Sequence, residues 1–108
     1  MVEKTSTLTD LICRYQRKLE QENIRCERIL LFGSHRWGTA YDGSDIDLIV
    51  VSPDWGKYSS RERLEIMGVA AARILEPIQA QGFTPEEIAS RKLSPFWQNI
   101  LDSEAIVV

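Results

Sequence analysis

The sequence predicts a small α/β fold built on one sheet, and three observations lead there. Two short aliphatic runs, Ile29-Leu-Leu-Phe32 and Ile46-Asp-Leu-Ile-Val-Val51, are bounded by glycine or proline, as buried strands are. Other segments repeat apolar residues at helical spacing. Helix-start signals at Ser59-x-x-Glu62, Thr84-Pro85-Glu86-Glu87 and Ser94-Pro95 alternate with the strand signals instead of clustering apart from them. The expected order is α-β-turn-β-α-β-α-α-β, with amphipathic helices covering mainly one face of the sheet.

Leu8, Leu11, Ile12, Tyr15 and Leu19 recur at helical spacing after Thr7-x-x-Asp10, which resembles a capping box. This predicts a helix over residues 8–22 with Arg14, Arg17, Lys18 and Glu20 on its solvated face. A strand over 27–32 runs into Gly33, and a helical turn follows at Ser34–Gly38. Asp42-Gly43-Ser44 reads as a turn leading to a strand over 46–51, which Ser52-Pro53 stops. The helix begun at Ser59 carries Leu64, Met67, Ala71, Ile74 and Leu75 as its apolar stripe and ends before Pro77. Residues 78–83 read as a third strand, the two Pro-started helices come next, and Ala105-Ile-Val-Val108 reads as a last strand. Trp37 and Trp55 are expected to pack on the sheet in preference to flanking the site and stacking on a base.

At 108 residues the chain is expected to be a single domain, 1–108, able to fold without disulfides or metals. A net charge of −3 speaks against a large basic face, so direct nucleic-acid binding is not expected. Cys13, placed on the first helix's apolar stripe, and Cys26 fit no metal-binding spacing and read as reduced thiols. There is neither an apolar run of membrane-spanning length nor a signal-peptide pattern after Met1, so a cytoplasmic location and no membrane partner are expected.

The chemistry concentrates in Gly33-Ser34 and, eleven residues on, Asp45-Ile-Asp47. Alternation along a strand puts Asp45 and Asp47 on one face and Ile46 and Leu48 on the other. Two hard carboxylates suit Mg²⁺ carrying substrate phosphates. Gly33 provides a turn without a Cβ, the Ser34 amide and hydroxyl can face a phosphate, and Gly38 would let the returning loop approach closely. Asp47 inside an apolar strand costs desolvation that structure alone does not explain. The pattern suits nucleotidyl transfer from a nucleoside triphosphate.

Gly33-Ser34-x10-Asp45-x-Asp47 followed by Leu-Ile-Val-Val resembles the signature of the minimal nucleotidyltransferases, small members of the polymerase β-like superfamily. Ile29-Leu-Leu-Phe32, Gly82-Phe-Thr-Pro-Glu-Glu87 and the segment from Asn99 to Val108 extend the likeness over most of the chain. The resemblance implies a mixed sheet with helices on one side and a nucleotide site on the other. It implies that Gly33 and Ser34 contact the triphosphate, with Arg36 and Gly38 beside them, and that Asp45 and Asp47 hold Mg²⁺. ATP is the expected donor, giving AMP transfer to a hydroxyl.

Two departures stand out. Where the family carries a third carboxylate, counting back from Thr84 finds Gln79, an amide and a poor base. Glu76 lies three residues away and is expected to face elsewhere. In the loop, Arg36-Trp37 stands where many relatives have a small and then a basic residue. His35, the single histidine, reads more simply as an exposed turn residue than as a phosphate contact. Family members of this size pair with small helical HEPN-type proteins as antitoxins of toxin–antitoxin systems. The alternative to an enzyme is therefore a catalytically weak binding partner; a homo-oligomer also stays open.

Overall fold

The computed structural model describes residues 4–41 and 43–108, with the backbone alone at 4–7. Asp42 of the expected turn lies outside the described residues. Elements follow in the order α1 (Lys4–Gln21), β1 (Arg28–Phe32), α2 (Ser34–Trp37), β2 (Ile46–Val51), α3 (Ser60–Arg73), β3 (Ile78–Phe83), α4 (Pro85–Ala89), α5 (Pro95–Asn99) and β4 (Ile106–Val107). A 3₁₀ turn, Pro53–Lys57, leads into α3, and a π-helical turn, Ile100–Glu104, leads into β4.

Among the described residues the strands form one sheet in the order β3-β2-β1-β4. β1 is antiparallel to both β2 and β4, and β2 is parallel to β3, so the sheet is mixed as expected. The parallel pair needs a crossover, and α3 supplies it. β2 is central, and Leu48, Ile49, Val50 and Val51 are fully buried. Each such side chain contributes roughly 1.5–3 kcal/mol relative to an exposed one, so this strand anchors the sheet.

The two long helices share one face. Leu11, Ile12, Tyr15 and Leu19 of α1 and Met67, Ala70 and Ala71 of α3 pack with Ile29, Leu31, Ile46, Leu48, Val50 and Ile78. The Tyr15 hydroxyl donates to the Met67 carbonyl at 3.1 Å, and Arg14 pairs with Glu76 at 2.9 Å. That pair places Glu76 with α1, away from Gln79, as expected. Trp55 is fully buried against β3, where a Cβ on Gly82 would stand 2.7 Å from its Nε1. The indole N–H donates to the Val50 carbonyl at 3.1 Å.

The opposite face is half covered. Leu30, Ile49, Val51 and Phe83 form a smaller core with Ile100, Trp97 and Leu93 of the C-terminal helical segment. Trp97 meets Phe32 and Phe83 edge to face at centroid distances of 5.7 and 5.6 Å. The uncovered half of this face carries Asp47 and Gln79.

Several local expectations are corrected. α1 is already helical at Lys4, so Thr7 lies inside it and does not cap it. Cys13 is exposed and off the apolar stripe. Both cysteines are free, and burial, followed by the Glu20 charge, pushes the Cys26 thiol up to about 12. The buried face of α3 is Arg63, Met67, Ala70 and Ala71, whereas Leu64 and Leu75 are exposed. The Ser59–Glu62 and Thr84–Glu87 capping boxes form as read. α3 stops ahead of Pro77 by its own geometry: Glu76 N–H donates to Ala71 O, Leu75 N–H donates to Ala72 O, and Leu75 sits at φ 57°. This is a Schellman ending with leucine where glycine is favoured. Among the described residues, no helix is long and apolar enough to cross a membrane.

Arg63 faces inward because its charge is fully answered. Its guanidinium makes paired bonds of 2.8 and 3.1 Å to Glu87, and it donates to the Gly82 and Tyr58 carbonyls, each at 3.1 Å. Glu87 also closes the Thr84 capping box, so one ion pair ties α3 and β3 to the start of α4. Removing Arg63 leaves the Glu87 carboxylate unpaired but partly solvated, so Arg63→Ala should cost about 2–3 kcal/mol in chemical denaturation.

The Arg63 guanidinium, more than any other group, holds the Glu87 carboxyl below its ordinary 4.5. A depressed folded pKa means that this stabilisation is full above 4.5 and fades as pH falls through the lowered value. Acid unfolding of Glu87→Gln should show a shallower dependence below that pH than the wild type; identical slopes would contradict the assignment. Leu75, 89% exposed, gives a second check. Leu75→Gly should stabilise the fold by about 1 kcal/mol in urea titrations, by relieving the left-handed backbone without losing packing.

Candidate active site

The uncovered half of the second face gathers most of the residues singled out from sequence. β1 ends at Phe32, and Gly33 turns the chain at φ 72°, a conformation that L-residues with side chains rarely adopt. β2 pairs Phe32 with Asp47, which brings the Asp47 carboxylate against the Cα of Gly33. A Cβ on Gly33 would overlap Asp47 Oδ2 and stand 3.0 Å from its Cγ. Glycine is therefore required twice over, by its φ and by its neighbour.

Ser34 opens α2, a single turn whose Arg36 and Trp37 amides donate to the Gly33 carbonyl at 3.0 and 3.3 Å. The first amides of a helix have no partner within it, so the Ser34 and His35 N–H groups lead the turn. Gly38 ends the turn in the left-handed region at φ 76°. A Cβ there would meet nothing within 4 Å, so Gly38 serves the turn's geometry and not the close approach expected of it. The loop returns through a turn in which Ser44 N–H donates to Tyr41 O at 2.9 Å and Tyr41 N–H donates to Ser44 Oγ at 3.0 Å.

Asp45 is exposed just before β2, and Asp47 is half-buried on it. Burial first, then the Asp45 charge, raises the Asp47 pKa, while His35 acts in the opposite sense. The two carboxylates are thus close enough to repel, with His35 near them. His35 is half-buried, its Nε2 3.4 Å from the Ser44 carbonyl oxygen, and is not the exposed turn residue expected.

Gln79 is the direct β3 partner of Asp47 in the parallel register, so both lie on one face. Arg36 is engaged elsewhere: its Nε donates to the Glu104 carbonyl at 2.9 Å, and its guanidinium lies 4.3 Å from the Trp37 ring centroid. Trp37 is 53% exposed, so the expectation that it packs on the sheet fails, while Trp55 meets it. The Glu104 carbonyl as the holder of Arg36 left no trace in the sequence, because a backbone contact across 68 positions has no motif.

The donor set fits Mg²⁺. Two hard carboxylate oxygen donors sit together, one held in a cradle that a Cβ would fill, and their mutual repulsion is what a cation would relieve. Among the described residues, no three His, Cys, Asp or Glu side chains converge into a metal-holding group, so the protein offers a pair of acids with an amide alongside.

Comparison with known proteins agrees with this fold. The family model described as "Nucleotidyltransferase domain" matches residues 12–105. The crystal structure of "the toxin-antitoxin with AMP-PNP" has a similar fold, with a TM-score of 0.61 and 22% identity over 91% of this chain and 69% of that one. No curated protein sequence matches. With the signature residues on one sheet face and the family match spanning nearly the whole chain, the protein belongs to the nucleotidyltransferase-domain family.

Proposed function

We propose that the protein transfers AMP from ATP to a hydroxyl group, with Asp45 and Asp47 as the catalytic carboxylates. The observation that carries this reading is the seating of Asp47 on Gly33 beside the first amides of α2. Nothing in the packing needs a carboxylate there, and its raised pKa shows that folding disfavours its charge. A charge held at a cost in an open site is a mark of function.

In this reading Gly33 lets the polyphosphate approach the backbone, and the Ser34 hydroxyl and leading amides bind it. Arg36, fixed by Glu104, adds positive charge at the loop, and Gly38 sets the loop's return. Asp45 and Asp47 would hold Mg²⁺, which supplies charge neutralisation on the phosphates and polarises the attacking oxygen. Gln79 can orient the acceptor hydroxyl but is a poor acceptor of its proton.

That last point favours a second reading: a catalytically weak antitoxin that binds a helical HEPN-type partner. The similar fold of the toxin-antitoxin with AMP-PNP supports this reading. The two readings meet if the acceptor hydroxyl is on the partner.

Incubation with α-labelled ATP and Mg²⁺ in host lysate should label a product. Asp47→Asn should lower labelling by about 10²-fold or more, the scale of losing a preorganised charge at the reacting centre. In metal-free buffer the same variant should melt at higher temperature than wild type, since it removes a half-buried, repelled charge. Gly33→Ala should lose labelling comparably but melt lower. Undiminished labelling by Asp47→Asn would end the catalytic assignment. For Gln79, calorimetric titration decides: Gln79→Asp should bind ATP more tightly than wild type only when Mg²⁺ is present. Equal affinities with and without metal would remove Gln79 from the site.

A further inference from the structure

β3 is an edge strand, and its outer side is only partly closed. The Ile46 N–H donates to the Pro77 carbonyl and the Ser52 N–H to the Phe83 carbonyl, so residues 77, 79, 81 and 83 turn their backbone groups toward β2. By alternation, Ile78, Ala80 and Gly82 turn theirs outward. The Gly82 carbonyl is taken by Arg63, and the Ile78 N–H by Glu76 O. Ala80 keeps both outward groups, and among the described residues no strand lies beside it. Natural edges are blunted by charge, proline or a bulge, yet Ile78-Gln-Ala-Gln81 has no charged residue or proline.

Gln79 and Gln81 project from this strand on the same face as Asp47. Gln79 stands beside the aspartates, and Gln81 lines a cavity of about 270 Å³ at the far end of the strand. Ser60, Arg63, Glu87 and Lys92 share that lining. Arg63 and Glu87 neutralise each other, and Lys92 makes no ion pair among the described residues. The cavity therefore carries one uncompensated positive charge.

We propose that the acceptor is an extended protein segment that adds to the free edge of β3, placing a hydroxyl residue beside Gln79 and, two residues along, an acidic side chain in the cavity near Lys92. The proposal rests on the nucleotidyl-transfer reading of Asp45 and Asp47. Main-chain bonds to Ala80 supply affinity, and the alternate side chains supply specificity, since a docked strand has the same two-residue repeat as Gln79 and Gln81. In the reaction the segment's hydroxyl oxygen bonds to the α-phosphorus of ATP. The bond from that phosphorus to the bridging oxygen of the β-phosphate breaks, pyrophosphate leaves with the electron pair, and the hydroxyl proton passes to water.

The test is selection of a random heptapeptide display library on the purified protein, followed by solution binding of the enriched peptides. Enrichment of Asp or Glu two positions from Ser, Thr or Tyr is expected. Binding should fall at least about tenfold, or 1.4 kcal/mol, for Lys92→Glu and for peptides N-methylated at the edge-facing amides. Ala80→Pro should reduce it similarly, and the N-methylated peptides keep the test valid if that variant misfolds. No enrichment, enrichment without acids, or binding indifferent to Lys92→Glu and N-methylation overturns the proposal. A stable dimer that Lys92→Glu leaves intact and that blocks peptide binding would overturn it too, assigning the edge to a second copy. Mg²⁺-dependent ATP titration on the same samples separates the two levels. It should be unchanged in Lys92→Glu, and its absence in wild type would count against the transfer reading and leave the edge result to be judged on the peptides.

Discussion

The Asp47 carboxylate lies against the Cα of Gly33, and much of the molecule is arranged around that contact. It needs the antiparallel register that sets Phe32 opposite Asp47, and it needs Gly33 at positive φ without a Cβ. The same turn launches α2 and hands the chain to the loop that returns through Ser44 to Asp45. The cost of holding a repelled, half-buried carboxylate is absorbed by the sheet: β2 is buried on both sides of Asp47, and Trp55 and α3 lock it from the other face.

The two faces of the sheet divide the work. α1 and α3 close one face with a continuous apolar core, tied by the Tyr15–Met67 hydrogen bond and the Arg14–Glu76 pair. On the other face the C-terminal helical segment packs on Val51 and Phe83 and, through Trp97, on Phe32 of β1. The Asp47–Gln79 end is left open to a ligand. Arg36 crosses this boundary, linking the glycine loop to the Glu104 carbonyl at the end of the π-helical turn. Loop position is thereby coupled to the segment that also carries β4.

The sheet was largely legible in the sequence because its signals are local. Ser52-Pro53 and Thr84-Pro85 punctuate β2 and β3, and both strands span the residues expected, 46–51 and 78–83. Gln79, singled out by counting back from Thr84, is the parallel register partner of Asp47. What stayed hidden depends on distant partners. Arg63 lies on the inward face of α3, held by Glu87, 24 positions on, and the Gly82 carbonyl, while Leu64 beside it is exposed. Leu75 looked apolar and inward, yet it occupies a left-handed helix ending that only backbone bonding reveals. The motif named Gly33 and Asp47 as candidates but not the contact between them, which is a consequence of register.

In the proposed function Asp45 and Asp47 hold a divalent cation carrying a nucleoside triphosphate over the Gly33–Ser34 turn. The most direct measurement is a crystal structure with Mn²⁺ and a non-hydrolysable ATP analogue, with the metal located by its anomalous signal. An anomalous peak bound by both carboxylates, with the phosphates against Ser34, is the expected result. A peak or a nucleotide bound elsewhere, with Asp45 and Asp47 unoccupied, would contradict it.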